Sequence, residues 1–241
     1  MTSASAQSGP PGVFPQTHWS MVLHAKSNDP EALAALCRAY WYPIYCCARR
    51  LAASPADAED LTQGFFATLL SRESLRTVDA EAGRLRNFLV TGLRRYAAEQ
   101  HRKGSAQKRG GGRRLVEFDA LDAEQRYALE PRDELSPERE FDRAWARQLL
   151  ASVLEKLRRS YSEAGKGAVF DALQDRLAGA AVDDYATVAT RLGLSEGGVR
   201  FAAFKLRERY REILRSTIQE TVSTPQEVED ELAHLRDLFA A

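Results

Sequence analysis

The chain has 241 residues, 44% of them hydrophobic, which is enough for two modest domains with separate cores. Its 34 Lys and Arg balance 34 Asp and Glu, so the formal net charge is zero. No stretch approaches the roughly 18 apolar residues of a membrane span, and the polar first residues lack the apolar segment of a signal peptide. We therefore expect a cytoplasmic protein that is neither exported nor inserted in a membrane.

The charges are separated along the chain. Residues 84–114 include ten Lys or Arg and one acid, whereas residues 117–142 include ten acids and three Arg. A molecule with this separation can present a basic surface to a polyanion in spite of its zero net charge. Nucleic acid therefore stays among the candidate ligands.

All of the predicted elements are helices, because no segment alternates apolar and polar residues over the length of a strand. After a disordered tail at 1–16, a short helix is expected from Thr17. A second helix is expected to begin at Pro30, since proline needs no N–H in a first turn. Pro43 is expected to interrupt it, with helix resuming over Ile44–Leu51.

The cysteines are Cys37, Cys46 and Cys47. They are odd in number, lack the paired spacing of a zinc site and lie among apolar residues. Three buried, reduced thiols are the expectation for a cytoplasmic protein. The alternative is a redox sensor at Cys46 and Cys47.

The next helix is predicted to begin at Ser54-Pro55, a cap followed by proline. Its apolar side carries Leu61, Phe65 and Leu69. Three polar residues point toward another face: Asp57, Asp60 and Gln63. This helix therefore combines a buried side with an exposed acidic side.

A further apolar stripe runs from Leu85 to Tyr96 and leads into a basic segment. The glycine triplet at 110–112 and the acidic stretch after it are predicted to form a flexible linker over 106–140. The first helical domain is therefore placed at 17–105 and the second at 141–220.

Within the second domain, the stretch Asp184–Ser216 predicts two helices that meet at a sharp corner. Gly193 can adopt the left-handed conformation that ends the first helix, and Ser195 caps the second. The small Ala189 allows the two backbones to approach. The predicted apolar seam of the corner consists of Val188, Leu192, Leu194 and Val199.

The second helix of the corner is amphipathic. Val199, Ala203, Leu206, Tyr210 and Ile213 recur at helical spacing and are expected to face inward. This leaves basic residues on the flanks and outer surface: Arg200, Lys205, Arg207, Arg209 and Arg211. The arrangement is typical of a helix-turn-helix DNA reader, and the alternative is a helical hairpin with a solvated charged face.

Two aromatic residues of that helix, Phe201 and Phe204, project away from the seam. Exposed aromatic side chains on a reading helix contact either thymine methyl groups or a protein partner. We assign Phe201 to DNA and Phe204 to a protein.

The last segment, 221–241, is predicted to be an amphipathic helix. Thr224-Pro225-Gln226-Glu227 has the pattern of a capping box. The apolar stripe consists of Val228, Leu232, Leu235 and Phe239. Two interpretations stay open: the helix completes the core of the second domain, or the acidic linker or this helix covers the basic DNA-reading surface.

Two helical domains in this order resemble a bacterial RNA polymerase sigma factor of the extracytoplasmic-function type, within the sigma-70 family. The sequence DAEDLTQGFFATLL, Asp57–Leu70, is similar to the motif of the second conserved sigma region. Tyr185–Leu214 resembles the fourth region, whose recognition helix reads the promoter element near minus thirty-five. The resemblance covers 18–101 and 145–216.

The resemblance implies a function in promoter recognition, strand opening and transcription initiation. Its implied partners are the beta-prime clamp helices and the beta flap of core RNA polymerase, promoter DNA in the nucleoid, and an anti-sigma factor or a regulatory kinase. The implied polymerase-binding residues are Asp57, Asp60 and Gln63. The implied minus-ten residues are Asn87, Arg94, Arg95, Tyr96, Gln100, His101, Arg102 and Lys103. The implied minus-thirty-five residues are Ser195, Glu196, Arg200, Phe201 and Lys205.

Enzyme motifs are weak in this sequence. Gly165-Lys166-Gly167 lacks the spacing and the following Ser or Thr of a phosphate loop. The histidines His18, His24, His101 and His234 are scattered, and no Ser/His/Asp arrangement stands out. We therefore expect no catalytic residue, no metal site and no cofactor.

Two rival functions remain at this level. One is a conventional helix-turn-helix regulator that binds duplex operators without polymerase. The other is a sigma-like interaction module that binds a protein partner and initiates nothing.

Overall fold

A computed structural model describes residues 30–70, 85–104, 120–129, 135–177, 179, 183–222 and 224–240. These ranges form nine α-helices and one 3-10 turn at Gln174–Leu177, with no strand among them, which confirms the predicted all-α class. The helices are α1 Pro30–Leu51, α2 Pro55–Leu69, α3 Leu85–Gly104, α4 Ala120–Leu129, α5 Pro137–Glu163, α6 Gly167–Leu173, α7 Tyr185–Leu192, α8 Glu196–Gln219 and α9 Pro225–Ala240. None of the described helices has the length and apolar character needed to cross a bilayer. The expectations for 1–16, for a helix at Thr17 and for the glycine triplet lie outside the described residues.

Helix α1 begins at Pro30 as predicted, but the interruption expected at Pro43 is absent. Pro43 lies inside a continuous helix of 22 residues, where it cannot donate a hydrogen bond to the carbonyl of Ala39. Its neighbours Tyr42 and Ile44 are buried. Burial along this stretch offsets the local cost of proline, which is about 3 kcal/mol in a helix interior.

The first hydrophobic cluster is built on α1, α2 and α3. Trp41 of α1 stacks on Phe66 of α2 with the ring centroids 5.5 Å apart, and Leu89 and Leu93 of α3 are fully buried beside them. The buried side of α2 includes Phe65, which confirms the predicted apolar face. This packing fixes the acidic face of α2 toward solvent.

The three cysteines lie in this cluster as buried free thiols, which confirms their predicted state. Burial raises the pKa of Cys37 to about 11 and that of Cys47 to about 12. Because the thiolate is the reactive form, both thiols are unreactive at neutral pH. The geometry therefore gives no support to a redox sensor at Cys46 and Cys47.

Helix α4 lies inside the segment that was predicted to be linker, and this part of the prediction is wrong. Ala123 is buried in the first cluster, and the carboxylate of Glu124 accepts a hydrogen bond of 2.6 Å from the hydroxyl of Tyr45. Arg49 forms an ion pair with Glu124 at 2.9 Å. Glu124 of this acidic segment thus pairs with Arg49 of α1, more than 70 residues away in sequence. Local sequence patterns cannot reveal such a pairing.

Helix α5 connects the two clusters. Phe141, Trp145 and Leu149 belong to the first cluster, whereas Leu157 belongs to the second. The boundary expected at residue 141 therefore falls inside the packing of the first cluster. One straight element of 27 residues, about 40 Å long, runs from one cluster to the other.

The second cluster is smaller and consists of α6, α7, α8 and the end of α5. Phe170 and Leu173 of α6 contact the buried residues of the α7–α8 corner. Tyr161 of α5 lies against Phe170 with the ring centroids 6.1 Å apart. This cluster supports α8 from one side only.

Helix α9 begins with the predicted capping box: the Thr224 N–H donates to the Glu227 carboxylate at 3.0 Å, and the Glu227 N–H donates to the Thr224 hydroxyl at 3.3 Å. Val228 and Leu235 are buried in the first cluster, where α9 packs on α8 and α5. Helix α9 therefore completes a core, as the first of the two interpretations expected, against α5 and α8, and Glu231 also joins it to Arg86 of α3.

Candidate nucleic-acid interface

The corner between α7 and α8 is fixed at each step by local hydrogen bonds. The carboxylate of Asp184 accepts from the Thr187 N–H at 2.7 Å and caps α7. Gly193 ends α7 with φ +65°, a left-handed conformation that glycine adopts without strain. The hydroxyl of Ser195 then accepts from the Gly198 N–H at 3.1 Å and caps α8. Three residues thus separate the two helices, and the capping side chains accept hydrogen bonds from backbone N–H groups at the start of each helix.

Asp184 gives this corner a pH dependence. Hydrogen bonds from Thr187 hold its pKa below the ordinary value of 3.8 in the folded state. A lowered folded-state pKa stabilises the fold above the ordinary pKa, and that contribution is lost as the pH falls through the folded-state value.

Asparagine caps helices as well as aspartate but does not titrate. We expect Asp184→Asn to match the wild type at neutral pH and to lose less stability between neutral pH and about pH 3. Thermal unfolding of both proteins across this range measures the difference. Parallel pH curves for the two proteins would contradict the capping role of the carboxylate.

The seam of the corner is buried for the most part as predicted. Val188, Val199, Ala203 and Leu206 are buried, and Ala189 lies at the close approach of the two helices. Leu194 was expected to belong to this seam, but it is 43% exposed, so that assignment is wrong. It lies in the turn between Gly193 and Ser195, where the chain has already left the α7 face.

The outer face of α8 is basic and partly aromatic. The five basic residues expected on it, Arg200, Lys205, Arg207, Arg209 and Arg211, are all exposed. Phe201 and Phe204 are 62% and 51% exposed, in agreement with their predicted projection away from the seam.

Arg200 is held in place by contacts that the sequence did not reveal. It forms an ion pair with Glu196 at 2.5 Å, and its guanidinium lies 5.0 Å from the centre of the Tyr185 ring. Arg176 lies over the same ring at 4.2 Å and donates a hydrogen bond to the carbonyl of Asp183. Tyr185 therefore gathers two cations at the start of α7, a cluster whose members come from three separate elements.

On α3, most of the predicted minus-ten residues are at the surface. Asn87, Arg95, His101 and Arg102 are exposed, and Gln100 is half-buried. Lys103 lies in α3, but its side chain is outside the described residues. Arg94 is exposed and forms an ion pair with Glu138 in the first turn of α5.

Tyr96 is the exception on α3 because it packs onto α2. Its ring lies 6.3 Å from the ring of Phe65, and a Cβ atom on Gly64 would come within 2.2 Å of the Tyr96 hydroxyl oxygen. Gly64 is therefore needed for this approach, and Tyr96 is only partly exposed.

The predicted polymerase-binding residues line one side of α2. Ser54 caps the helix, accepting from the Asp57 N–H at 3.1 Å and donating its hydroxyl to the Asp57 carboxylate at 2.7 Å. Asp57 and Asp60 are exposed, whereas Gln63 is half-buried and donates to Glu59 at 2.8 Å. The two aspartates form the exposed part of the acidic face.

Comparison of the chain with protein-family models, with curated proteins and with solved structures gives no match. Within the described ranges, no group of His, Cys, Asp and Glu has the arrangement of a metal site. Three charged faces are present in the described residues: a basic face on α8, a basic face on α3 and an acidic face on α2.

Proposed function

We propose that this chain is a sigma factor, which binds core RNA polymerase and directs it to promoters. The observation that carries the proposal is the α7–α8 corner, in which a capped, half-buried helix exposes cations and aromatic rings on the side away from its core. A helix supported from one side in this way fits the major groove of duplex DNA. Under this proposal α6–α8 and the end of α5 form a helix-turn-helix domain, α1–α3 form a polymerase-binding domain, and α9 is an added amphipathic helix.

Helix α8 supplies the duplex contacts. The exposed guanidinium groups reach phosphates, which position the protein without specifying sequence. Arg200, held by Glu196 and Tyr185, loses less conformational freedom on binding than a free arginine does. Ser195 and Glu196 lie at the N-terminal end of the same helix, where base edges and phosphates meet in this class of complex.

Helix α3 supplies contacts to the opened strand. Strand opening costs stacking energy, and the protein recovers it only by binding the exposed strand more tightly than the duplex. Arg95, His101 and Arg102 are exposed for backbone contacts. Stacking on an aromatic side chain contributes about 1–3 kcal/mol per base, and Tyr96 is partly exposed for this purpose.

Helix α2 supplies the contact with polymerase. Asp57 and Asp60 are exposed on a helix whose opposite side is locked by Phe65 and Leu69. A fixed acidic face of this kind suits a basic partner helix, because complementary charge speeds association and sets the register.

The proposal requires the chain to rearrange. Promoter elements about 25 base pairs apart lie about 85 Å apart along the duplex. The faces of α3 and α8 are tied together by α5, which is about 40 Å long and packs on α1 through Phe141 and Trp145. To reach both elements at once, the chain must release part of this packing.

The test is co-migration of the purified full-length chain with bacterial core RNA polymerase on a sizing column. We expect a stable complex that weakens with salt, because the α2 contact is charged. A chain that elutes apart from polymerase but binds a palindromic duplex by itself would instead be a conventional helix-turn-helix regulator. A chain that co-migrates but starts no transcript would be an interaction module.

A further inference from the structure

The direction of the phenylalanine side chains on α8 follows from helix geometry. Successive residues are turned by about 100°, and the buried residues Val199, Ala203 and Leu206 centre on one direction. Phe201 points within about 15° of the opposite direction, and Phe204 within about 50° of it. The rings therefore occupy the part of the helix that is farthest from the core, and the high exposure of both agrees with this placement.

The charges around the rings divide into a neutral centre and one basic flank. The Lys205 ammonium lies 5.9 Å from the centre of the Phe201 ring and 5.6 Å from that of Phe204. It also forms an ion pair of 2.8 Å with Glu208, so the two charges at the centre offset one another. Arg207 and Arg211 are exposed toward one flank.

Two occupants can be compared on these charges. A second copy of the chain would bring Arg207 and Arg211 close to the same two arginines, which is unfavourable. Duplex DNA places phosphates at both edges of the major groove and base edges at its floor. The flank that carries Arg207 and Arg211 matches the phosphates of one groove edge, and the neutral aromatic centre faces the floor.

A phenylalanine ring cannot form a hydrogen bond with a base edge. The apolar group that the groove floor offers is the 5-methyl group of thymine. We propose that Phe201 and Phe204 read thymine methyl groups, so that the site bound by α8 is defined by thymines at one or two fixed positions. This inference rests on the proposed function of α8 and names the base that it selects; it also moves Phe204 from a protein partner to DNA.

The experiment removes the methyl groups and nothing else. Duplexes with a randomised segment are selected with the full-length chain, alone and bound to bacterial core polymerase. In the selected duplex, each thymine is then replaced in turn by deoxyuridine. We expect about fourfold weaker binding at one or two positions, the change that burial of a single methyl-sized group produces.

Variants assign the effect to the rings. In Phe201→Ala or Phe204→Ala, the corresponding deoxyuridine duplex is expected to bind as well as the thymine duplex. Because both rings are exposed, the variants are expected to keep the wild-type melting temperature. Leu129→Ala, which removes an exposed apolar side chain from α4, is the control and should keep the full thymine preference.

Each other outcome overturns the inference. A selected site without thymine, or equal binding of thymine and deoxyuridine duplexes, shows that α8 reads other groups while leaving the proposed function intact. Loss of polymerase co-migration in the phenylalanine variants, with thymine preference unchanged, shows a protein-docking face. Failure to select any duplex, together with failure to bind polymerase, refutes the proposed function itself.

Discussion

Replacement of Arg86 by methionine is expected to lower the free energy of unfolding by about 3–5 kcal/mol, the cost of removing one partner from a buried ion pair. Arg86 is buried, and it forms ion pairs with Asp142 of α5 at 2.7 Å and with Glu231 of α9 at 3.2 Å. Its guanidinium also lies 5.3 Å from the centre of the Trp145 ring. The side chain of Glu231 is only 2% exposed, so removal of the Arg86 guanidinium takes the positive charge away from a buried carboxylate.

The same helix offers a matched control for this prediction. Arg94→Met breaks the ion pair with Glu138, but both side chains are exposed, and such pairs contribute about 0–1 kcal/mol. Urea unfolding of the two variants gives the free energies directly. We expect Arg86→Met to lose several times more stability than Arg94→Met. Similar losses in both variants would show that α9 does not depend on the arginine of α3.

Reversal of charge on α2, by Asp57→Lys combined with Asp60→Lys, is expected to weaken binding to core polymerase at least about 100-fold, since like charges opposed across an interface cost several kcal/mol. Both aspartates are exposed, so the fold should persist. The change at the first turn of α2 costs about 0.3–1 kcal/mol through the helix dipole. Affinity is measured by titrating labelled chain with core polymerase at low salt.

A second double reversal separates position from net charge. Glu155→Lys with Asp237→Lys changes the charge by the same amount at exposed positions on α5 and α9. This control is expected to bind polymerase like the wild type. If both double variants lose affinity equally, the overall charge of the chain drives the association, and the acidic face of α2 does not bind polymerase specifically.

The helix starts could be predicted because their causes are local. Ser54, Asp184 and Ser195 each cap a helix through a backbone N–H three residues ahead, and Gly193 ends a helix through its own backbone freedom. Such interactions depend on a few neighbouring residues, which the sequence displays directly. The inward and outward faces of α8 were predictable for the same reason, because helical spacing alone sets them.

The tertiary pairings could not be predicted from sequence. Glu124 binds Tyr45 and Arg49 across more than 70 residues, and the acidic composition of its segment suggested a linker. Glu231 pairs with Arg86, which ties α9 to α3, a helix from a distant part of the sequence. In each case an apparently solvated charge is satisfied by a distant partner, and composition does not identify that partner.

The candidate site also combines features that local sequence predicts with features that depend on tertiary packing. The exposed cations and rings of α8 follow from periodicity, whereas the contacts of Arg200 with Tyr185 and the covering of Tyr96 by α2 depend on packing. Leu194 was misplaced because the turn, rather than the helix period, sets its direction. Sequence therefore predicts which side of a helix is available, and the structure determines which of its side chains are free to bind.

Run-off transcription with bacterial core polymerase on genomic DNA is the sharpest test of the proposal that this chain directs initiation. Discrete transcripts are expected only when the full-length chain is added to core polymerase, and they are expected to be lost with Asp57→Lys combined with Asp60→Lys. Transcripts that are identical with and without the chain, or none at all despite a stable complex with polymerase, would contradict it.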